Sequence, residues 1–228
     1  MKAVILAGGR GSRMGALTDS IPKPLISVCD KPLILHTLEA LPRVVEEIFI
    51  VVGYKKDAIR SFIQQNFSER KIRFIEQENS GTGGALLSAK YELTETEKFF
   101  VVGSDDVFGQ GELDKLVNHQ FAKYGIYKTI ADKPTVGIQF DSNGRLIARV
   151  AVAEGDVRHH GVGAYCLSPE IFNSKFKRLP NGEYSIPHTL PHCSFPVHVQ
   201  PIEHWLPVNT PDEIALAEKT YTSWLRPG

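Results

Sequence analysis

Four short, continuously apolar runs in the first hundred residues constrain the fold of this chain more than any other feature. They are rich in Val, Ile and Phe, and they lie at Ala3–Ala7, Ile48–Val52, Ile72–Ile75 and Phe99–Val102. Continuous apolarity, without alternating polar residues, is typical of strands buried on both faces of a parallel sheet. Because parallel neighbours need long crossover connections, the runs predict an α/β protein.

The segments between and after these runs have the pattern of amphipathic helices. The apolar stripe of the first consists of Leu33, Leu35, Leu38 and Leu41, and that of the second consists of Ile59, Phe62, Ile63 and Phe67. The predicted helices are Pro32–Leu41, Lys56–Phe67, Gly83–Tyr91 and Glu112–Lys123. Alternating strands and helices indicate right-handed βαβ units in an open sheet. Such sheets bind ligands beyond the carboxyl ends of their strands, so the loops Gly8–Arg13 and Gly103–Phe108 are the first places to look for a site.

The second half changes character and predicts antiparallel or mixed strands that extend the same sheet. Asp141–Gly144 is a strong turn signal between two of them. Thr210, Pro211 and Glu213 have the residue types of an N-cap, a first helical position and a third, so they predict the start of a last helix. No linker or internal repeat divides the chain, which favours a single domain over residues 1–228. The predicted extended segments are Ile126–Ala131, Thr135–Phe140, Arg145–Val152, Gly161–Leu167 and Pro201–Val208.

Composition excludes several classes of protein. The chain has 26 Lys and Arg against 26 Asp and Glu, and a neutral average disfavours a general nucleic-acid binder. No apolar run approaches the roughly 20 residues of a membrane span, and Ala3–Ala7 is too short for a signal-peptide core. Cys29, Cys166 and Cys193 are far apart and form no Cys-x-x-Cys pair, as suits a reducing compartment. We therefore expect a cytoplasmic protein.

A glycine-rich segment, Leu6-Ala7-Gly8-Gly9-Arg10-Gly11-Ser12-Arg13, directly follows the first predicted strand. Glycines let a backbone turn its N–H groups toward phosphates at close range. The segment is not a P-loop, and Met14 occupies the third glycine slot of a dinucleotide fingerprint. Two arginines suit polyphosphate oxygens instead, and ten residues on Lys23 stands between two prolines that present it rigidly.

These motifs together resemble the sugar-1-phosphate nucleotidyltransferases, the family of NDP-sugar pyrophosphorylases. The resemblance rests on Ala7–Arg13, Leu17-Thr18 and Pro22-Lys23-Pro24-Leu25, and it continues in Gln77 with Gly81–Ala85, in Phe99–Phe108 and in Trp205–Asp212. It implies a Rossmann-like, GT-A-like nucleotidyltransferase fold with a mixed, mainly parallel sheet flanked by helices. It also implies a nucleotide-binding half over about residues 1–125, followed by a sugar-phosphate-binding half with a C-terminal helix over about residues 126–228.

The resemblance implies Mg²⁺-dependent transfer of a nucleotidyl group from an NTP to a sugar 1-phosphate. The attacking phosphate is already anionic, so the site needs cations and N–H donors rather than a general base. Carried onto this sequence, Arg13, Lys23 and Asp105 are the catalytic candidates. The nucleotide-binding candidates are Ala7, Gly8, Gly9, Gly11, Gln77, Gly81 and Thr82.

The metal ligands follow the family pattern only in part. Asp105 is preferred over Asp106, because Gly103-Ser104-Asp105 stands in the usual Asn-Gly-Asp slot. In the C-terminal block Pro207 replaces the family's second aspartate, and Asn209 is the candidate that takes its place. Carboxylate and amide oxygens suit Mg²⁺, which binds few protein ligands beside substrate phosphates.

The acceptor side departs further from the family. The stretch Arg149–Glu154 lacks the usual Glu-Lys-Pro lysine, and Gly161-Val162-Gly163 lacks the usual asparagine. Gly163, Glu183 and Arg158 are the sugar-phosphate candidates. The base stays open among UTP, GTP and CTP, and so does the oligomeric state. The alternatives are a cytidylyltransferase for phosphocholine or inositol phosphate, and a catalytically reduced nucleotide-sugar-binding protein.

Overall fold

The computed structural model describes residues 1–117 and 120–224. The described strands are β1 (Lys2–Ala7), β2 (Ser27–Val28), β3 (Lys31–Pro32), β4 (Glu47–Val52), β5 (Lys71–Glu76), β6 (Phe99–Gly103), β7 (Asp106–Phe108), β8 (Ala122–Ile130), β9 (Thr135–Phe140), β10 (Leu146–Val152), β11 (Val157–Leu167), β12 (Lys177–Arg178), β13 (Tyr184–Ser185), β14 (Val197–Pro201) and β15 (Trp205–Pro207). The described helices are α1 (Leu17–Ser20), α2 (Leu33–Ala40), α3 (Lys56–Asn66), α4 (Gly81–Ser88), α5 (Lys90–Leu93), α6 (Ile186–Thr189) and α7 (Pro211–Trp224).

Seven strands form the central sheet, in the order β14-β8-β11-β6-β1-β4-β5. Strands β6, β1, β4 and β5 are mutually parallel, and β14 is parallel to β8. Strand β11 is antiparallel to both β6 and β8, so it alone runs against the other six. The sheet is therefore mixed and mainly parallel, as the sequence predicted, and strands from both halves of the chain contribute to it.

Two apolar layers cover the central sheet, because successive side chains of a strand point to opposite faces. On one face Ile48, Ile50 and Phe100 pack with residues of α2 and α3. On the other face Phe49 and Val101 pack with residues of α4 and α5. The four predicted strands of the first half are confirmed to within one residue at each end.

The segment after Phe108 differs from its prediction. In place of a helix over Glu112–Lys123, a 3₁₀ turn covers Leu113–Leu116, and β8 begins at Ala122. Residues 118 and 119 lie outside the described range. Strand β8 hydrogen-bonds to β11 on one side and β14 on the other, and this pairing overrides the helical pattern of the sequence.

The predicted strands of the second half join different sheets. Strands β8 and β11 extend the central sheet, as expected, and β14 joins it although only its last residue, Pro201, lies in a predicted segment. Strands β9 and β10 instead form a separate two-stranded antiparallel hairpin. The predicted segment Pro201–Val208 divides, since its first residue ends β14 and Trp205–Pro207 pairs as β15 with β7.

A search of the described residues for a helix long and apolar enough to cross a membrane finds none.

Candidate functional site

A cleft of about 530 Å³ opens at the carboxyl ends of the parallel strands. The loops after β1 and β6, the start of α4 and residues of β11 all contribute to its lining. The lining residues are Leu6, Ala7, Gly8, Gly9, Arg10, Gly11, Ser12, Arg13, Lys23, Pro24, Gln77, Gly81, Thr82, Ala85, Gly103, Ser104, Asp105, Asp106, Gly163, Tyr165, Glu183 and Asn209.

The glycines of the first loop are required by close packing. Gly11 has φ +70°, and a Cβ there would lie 2.8 Å from the Cβ of Lys23. A Cβ on Gly8 would overlap the side-chain amide oxygen of Gln77. The loop therefore lies directly against two of the predicted site residues, and a larger residue at either glycine would push them out of place.

Four predicted polar residues meet in one network at the centre of the cleft. Lys23 is only 6% exposed, and its Nζ donates to Oδ2 of Asp105 at 2.5 Å and to Oδ1 of Asn209 at 3.0 Å. Nη2 of Arg13 donates to the same Oδ1 of Asn209 at 2.9 Å. Three segments far apart in the sequence thus place two cations and two oxygen-bearing side chains in one chain of hydrogen bonds, from Arg13 through Asn209 and Lys23 to Asp105.

Local backbone structure explains why these side chains converge. Lys23 lies between Pro22 and Pro24 and begins the 3₁₀ turn Lys23–Leu25. The hydroxyl of Ser104 donates to the carbonyl of Leu6 at 2.9 Å, which ties the end of β6 to β1. Asn209 lies two residues before the first residue of α7, and its backbone N–H donates to the carboxylate of Glu213 at 2.5 Å.

Asp106 is a second carboxylate of the cleft, and it is buried. Burial raises its pKa well above the ordinary value, and the negative charge of Asp105 raises it further. A Cβ on Gly103 would lie 2.7 Å from Oδ1 of Asp105 and 4.0 Å from Oδ2 of Asp106, so both carboxylates approach this glycine. Pro207, which stands in the family's aspartate slot, is paired with Asp106 across the β15–β7 ladder.

Gln77 and Thr82 lie on the α4 side of the cleft. Nε2 of Gln77 donates to the carbonyls of Asn79 at 2.7 Å and Gly81 at 3.3 Å. These bonds fix the amide so that Oε1 is left as an acceptor beside Gly8. The hydroxyl of Thr82 accepts from the N–H of Ile186 at 3.1 Å.

Of the three predicted sugar-phosphate residues, Gly163 and Glu183 line the cleft, whereas Arg158 lies outside its lining. Nε of Arg158 donates to the carbonyl of Val136 at 3.0 Å, which directs this side chain to the β9–β10 hairpin. The other predicted site residues all line the cleft. Sequence reasoning missed Tyr165, whose only signal was its place two residues after Gly163 on the same face of β11.

A mixed α/β sheet with a glycine-rich loop, a buried lysine and paired aspartates at its carboxyl edge defines a nucleotidyltransferase of Rossmann-like fold. The family profile of the MobA-like NTP transferase domain matches residues 3–157. The chain belongs to this family.

Individual relatives agree with this assignment. The bifunctional protein GlmU of Methanocaldococcus jannaschii is 29% identical over 96% of this chain and 54% of its own length. Mannose-1-phosphate guanylyltransferase 1 of Arabidopsis thaliana is 33% identical over 76% of this chain and 51% of its own length. The chain thus spans about half the length of these curated relatives. The crystal structure of HddC from Yersinia pseudotuberculosis complexed with GMP-PN superposes with a TM-score of 0.76 at 21% identity, over 96% of this chain and 99% of that one.

Proposed function

We propose that this protein transfers a nucleotidyl group from an NTP to a sugar 1-phosphate, giving an NDP-sugar and pyrophosphate. In this reaction an oxygen of the acceptor phosphate forms a bond to the α-phosphorus, and the bond from that phosphorus to pyrophosphate breaks. The observation that carries the proposal is the meeting of Lys23, Arg13, Asp105 and Asn209 beside the glycine loop.

The main task of such a site is to bring anions together and to stabilise charge on the leaving pyrophosphate. Lys23 is the buried cation of the cleft, so we assign it to the α-phosphate and the attacking phosphate. Arg13 is assigned to the triphosphate, and the backbone of Ala7 to Gly11 is assigned to base and phosphates. Since the nucleophile is an anion, no residue has to remove a proton.

A magnesium ion fits the residues at the centre of the cleft. Asp105 and Asn209 offer the oxygen ligands that Mg²⁺ prefers, and the carboxylate of Asp106 lies in the same cleft. Asp105 and Asn209 would hold the ion, with Asp106 beside them. When bound, Mg²⁺ would neutralise charge on the phosphates.

Gln77, Gly81 and Thr82 are assigned to the nucleotide on the α4 side. Because both N–H groups of the Gln77 amide face backbone carbonyls, its free Oε1 suits a base that presents an N–H donor. Gly163 and Glu183 are assigned to the acceptor, and Arg158 would reach it only if its side chain left Val136. Residues 1–228 are proposed to act as one domain, because both halves supply cleft residues.

The names of the relatives favour a sugar 1-phosphate as acceptor over phosphocholine or inositol phosphate. The intact cluster of Lys23, Asp105 and the glycine loop argues against a catalytically reduced binding protein. The test is pyrophosphate release from a matrix of UTP, GTP and CTP with several sugar 1-phosphates, with Mg²⁺ present and with Mg²⁺ removed by a chelator. We expect release with at least one pair, and only with the metal. Nucleotide binding without release from any pair would contradict the proposal.

A further inference from the structure

The side-chain oxygen of Asn209 is fully engaged by two cations of the cleft. Its Oδ1 accepts a hydrogen bond from Nζ of Lys23 at 3.0 Å and another from Nη2 of Arg13 at 2.9 Å. Both neighbours are donors with no acceptor capacity, so the amide atom that faces them is the oxygen. An amide oxygen has two lone pairs, and both are used here. The oxygen that Asn209 would offer to a metal ion is therefore already occupied.

The carboxylate of Asp105 is held by the same lysine. Nζ of Lys23 donates to Oδ2 of Asp105 at 2.5 Å, in a hydrogen bond between two charged groups. One ammonium group thus bridges the two side chains assigned to Mg²⁺. A divalent cation at either oxygen of this carboxylate would lie close to that ammonium. Like charges at such short range repel strongly in a partly buried site.

Lys23 has little freedom to leave this position for solvent. It is buried, its backbone lies between Pro22 and Pro24, and Gly11 packs closely against its side chain. Arg13, by contrast, is exposed. Both cations line the cleft that we assign to the triphosphate. Phosphate oxygens carry a charge that the amide oxygen of Asn209 lacks, so they would compete with it for both donors.

We propose that Lys23 and Arg13 form a latch on the metal ligands. The two cations hold the oxygens of Asn209 and Asp105 until the phosphates of an NTP draw them away, which frees those oxygens for a divalent cation. Without nucleotide the protein therefore binds a divalent cation weakly, and loss of the Lys23 ammonium strengthens that binding. This inference rests on the proposed nucleotidyl transfer and adds how its metal ligands are kept closed before the nucleotide binds.

The experiment titrates the protein with Mn²⁺ in the absence of nucleotide. Mn²⁺ shares the preference of Mg²⁺ for oxygen ligands, and its binding is followed by the loss of the EPR signal of the free ion. The variants are Lys23→Met, Arg13→Met, Asp105→Ala and the double variant Lys23→Met with Asp105→Ala. Lys31→Met is the control, because Lys31 pairs with Glu39 and lies outside the cleft lining. Thermal unfolding verifies that each variant is folded.

We expect the wild type to bind Mn²⁺ at this site with a Kd above about 1 mM. Lys23→Met should bind it at least about tenfold more tightly, because the repelling charge is gone and both oxygens are released. Arg13→Met should gain less, since Lys23 still holds both side chains. The double variant should lose the gain, which places the ion at Asp105, and Lys31→Met should match the wild type.

Two results would overturn the latch. One is a wild-type site with a Kd below about 1 mM that Asp105→Ala removes. The other is a folded Lys23→Met variant that binds Mn²⁺ no better than the wild type. If Lys23→Met does not fold, the wild-type and Asp105→Ala titrations decide the question. Neither result bears on the proposed function, which fails if no pair of nucleotide and acceptor releases pyrophosphate.

Discussion

Lys23 is the residue whose environment most clearly separates a functional from a structural role. It is almost fully buried, yet its ammonium faces an aspartate, an asparagine and a cleft of about 530 Å³. Lysine is rarely buried to this degree unless it is paired. Gly11 packs closely against the side chain of Lys23, and Pro22 and Pro24 flank its backbone. The charge of Lys23 is therefore positioned before any substrate binds.

We expect Lys23→Ala and Asp105→Ala each to lower turnover by more than about tenfold, because each removes charge stabilisation at the reacting phosphates. Lys31→Ala is the matched control, since Lys31 forms a surface ion pair with Glu39 at 2.6 Å and does not line the cleft. Steady-state pyrophosphate release and thermal unfolding are measured for all three variants. Near-normal turnover in either cleft variant would refute the role assigned to that residue.

Strand β11 contributes Gly163 and Tyr165 to the lining of the cleft. As the one antiparallel strand of the central sheet, it brings Gly163 beside the ends of β6 and β1. Its residue His160 stacks on Trp205 with ring centroids 5.1 Å apart at an angle of 27°. Burial lowers the pKa of His160 to about 4, and the charges of Arg158 and Arg149 act in the same direction.

This pKa predicts a loss of stability in mild acid. In the unfolded chain the imidazole titrates near 6.5, so the folded state, with the lower pKa, binds the proton less readily. The contribution of the neutral ring is complete above about pH 6.5 and is lost as the pH falls toward 4. We expect this loss to be about 1–2 kcal/mol, after allowance for the partial exposure of the ring.

Urea unfolding between pH 7 and pH 4, at constant ionic strength, measures this effect. His160→Phe keeps an aromatic ring against Trp205 but does not titrate, so its free energy of unfolding should fall less steeply with acid. Parallel pH profiles for the wild type and His160→Phe would show that this histidine does not contribute.

At the scale of the whole molecule, a formal net charge of zero coexists with a strongly charged cleft. Arg10, Arg13 and Lys23 line the same cleft as Asp105 and Asp106. The average charge therefore says little about the ligand, while the local field around the glycine loop favours a small polyanion.

Salt should consequently affect substrate capture more than stability. Raising KCl from about 50 to about 500 mM, with Mg²⁺ held constant, should lower kcat/KM for the NTP several-fold, because screening weakens the attraction of the cleft cations for the triphosphate. The melting temperature should change little, since a neutral chain has no net self-repulsion to relieve. A kcat/KM that does not depend on salt would contradict this account of the cleft.

The mainly parallel core and the glycine-loop side of the site could be predicted from the sequence. Buried strands such as Ile48–Val52 can be recognised by their continuous run of apolar residues. The glycine loop directly follows the first of these strands in the chain. Gly8, Gly11 and Arg13 are therefore adjacent to β1 in any fold that forms this strand. Their chemistry is local, because it depends on contiguous residues.

Tertiary structure alone decided what depends on pairing between distant segments. The stretch Glu112–Lys123 has a helical pattern, yet β8 begins within it because β11 and β14 satisfy its backbone hydrogen bonds. Asn209 meets Lys23 across 186 positions of sequence. Local residue patterns determined the strands and the glycine loop, whereas contacts between distant segments determined which charged and polar side chains meet in the cleft.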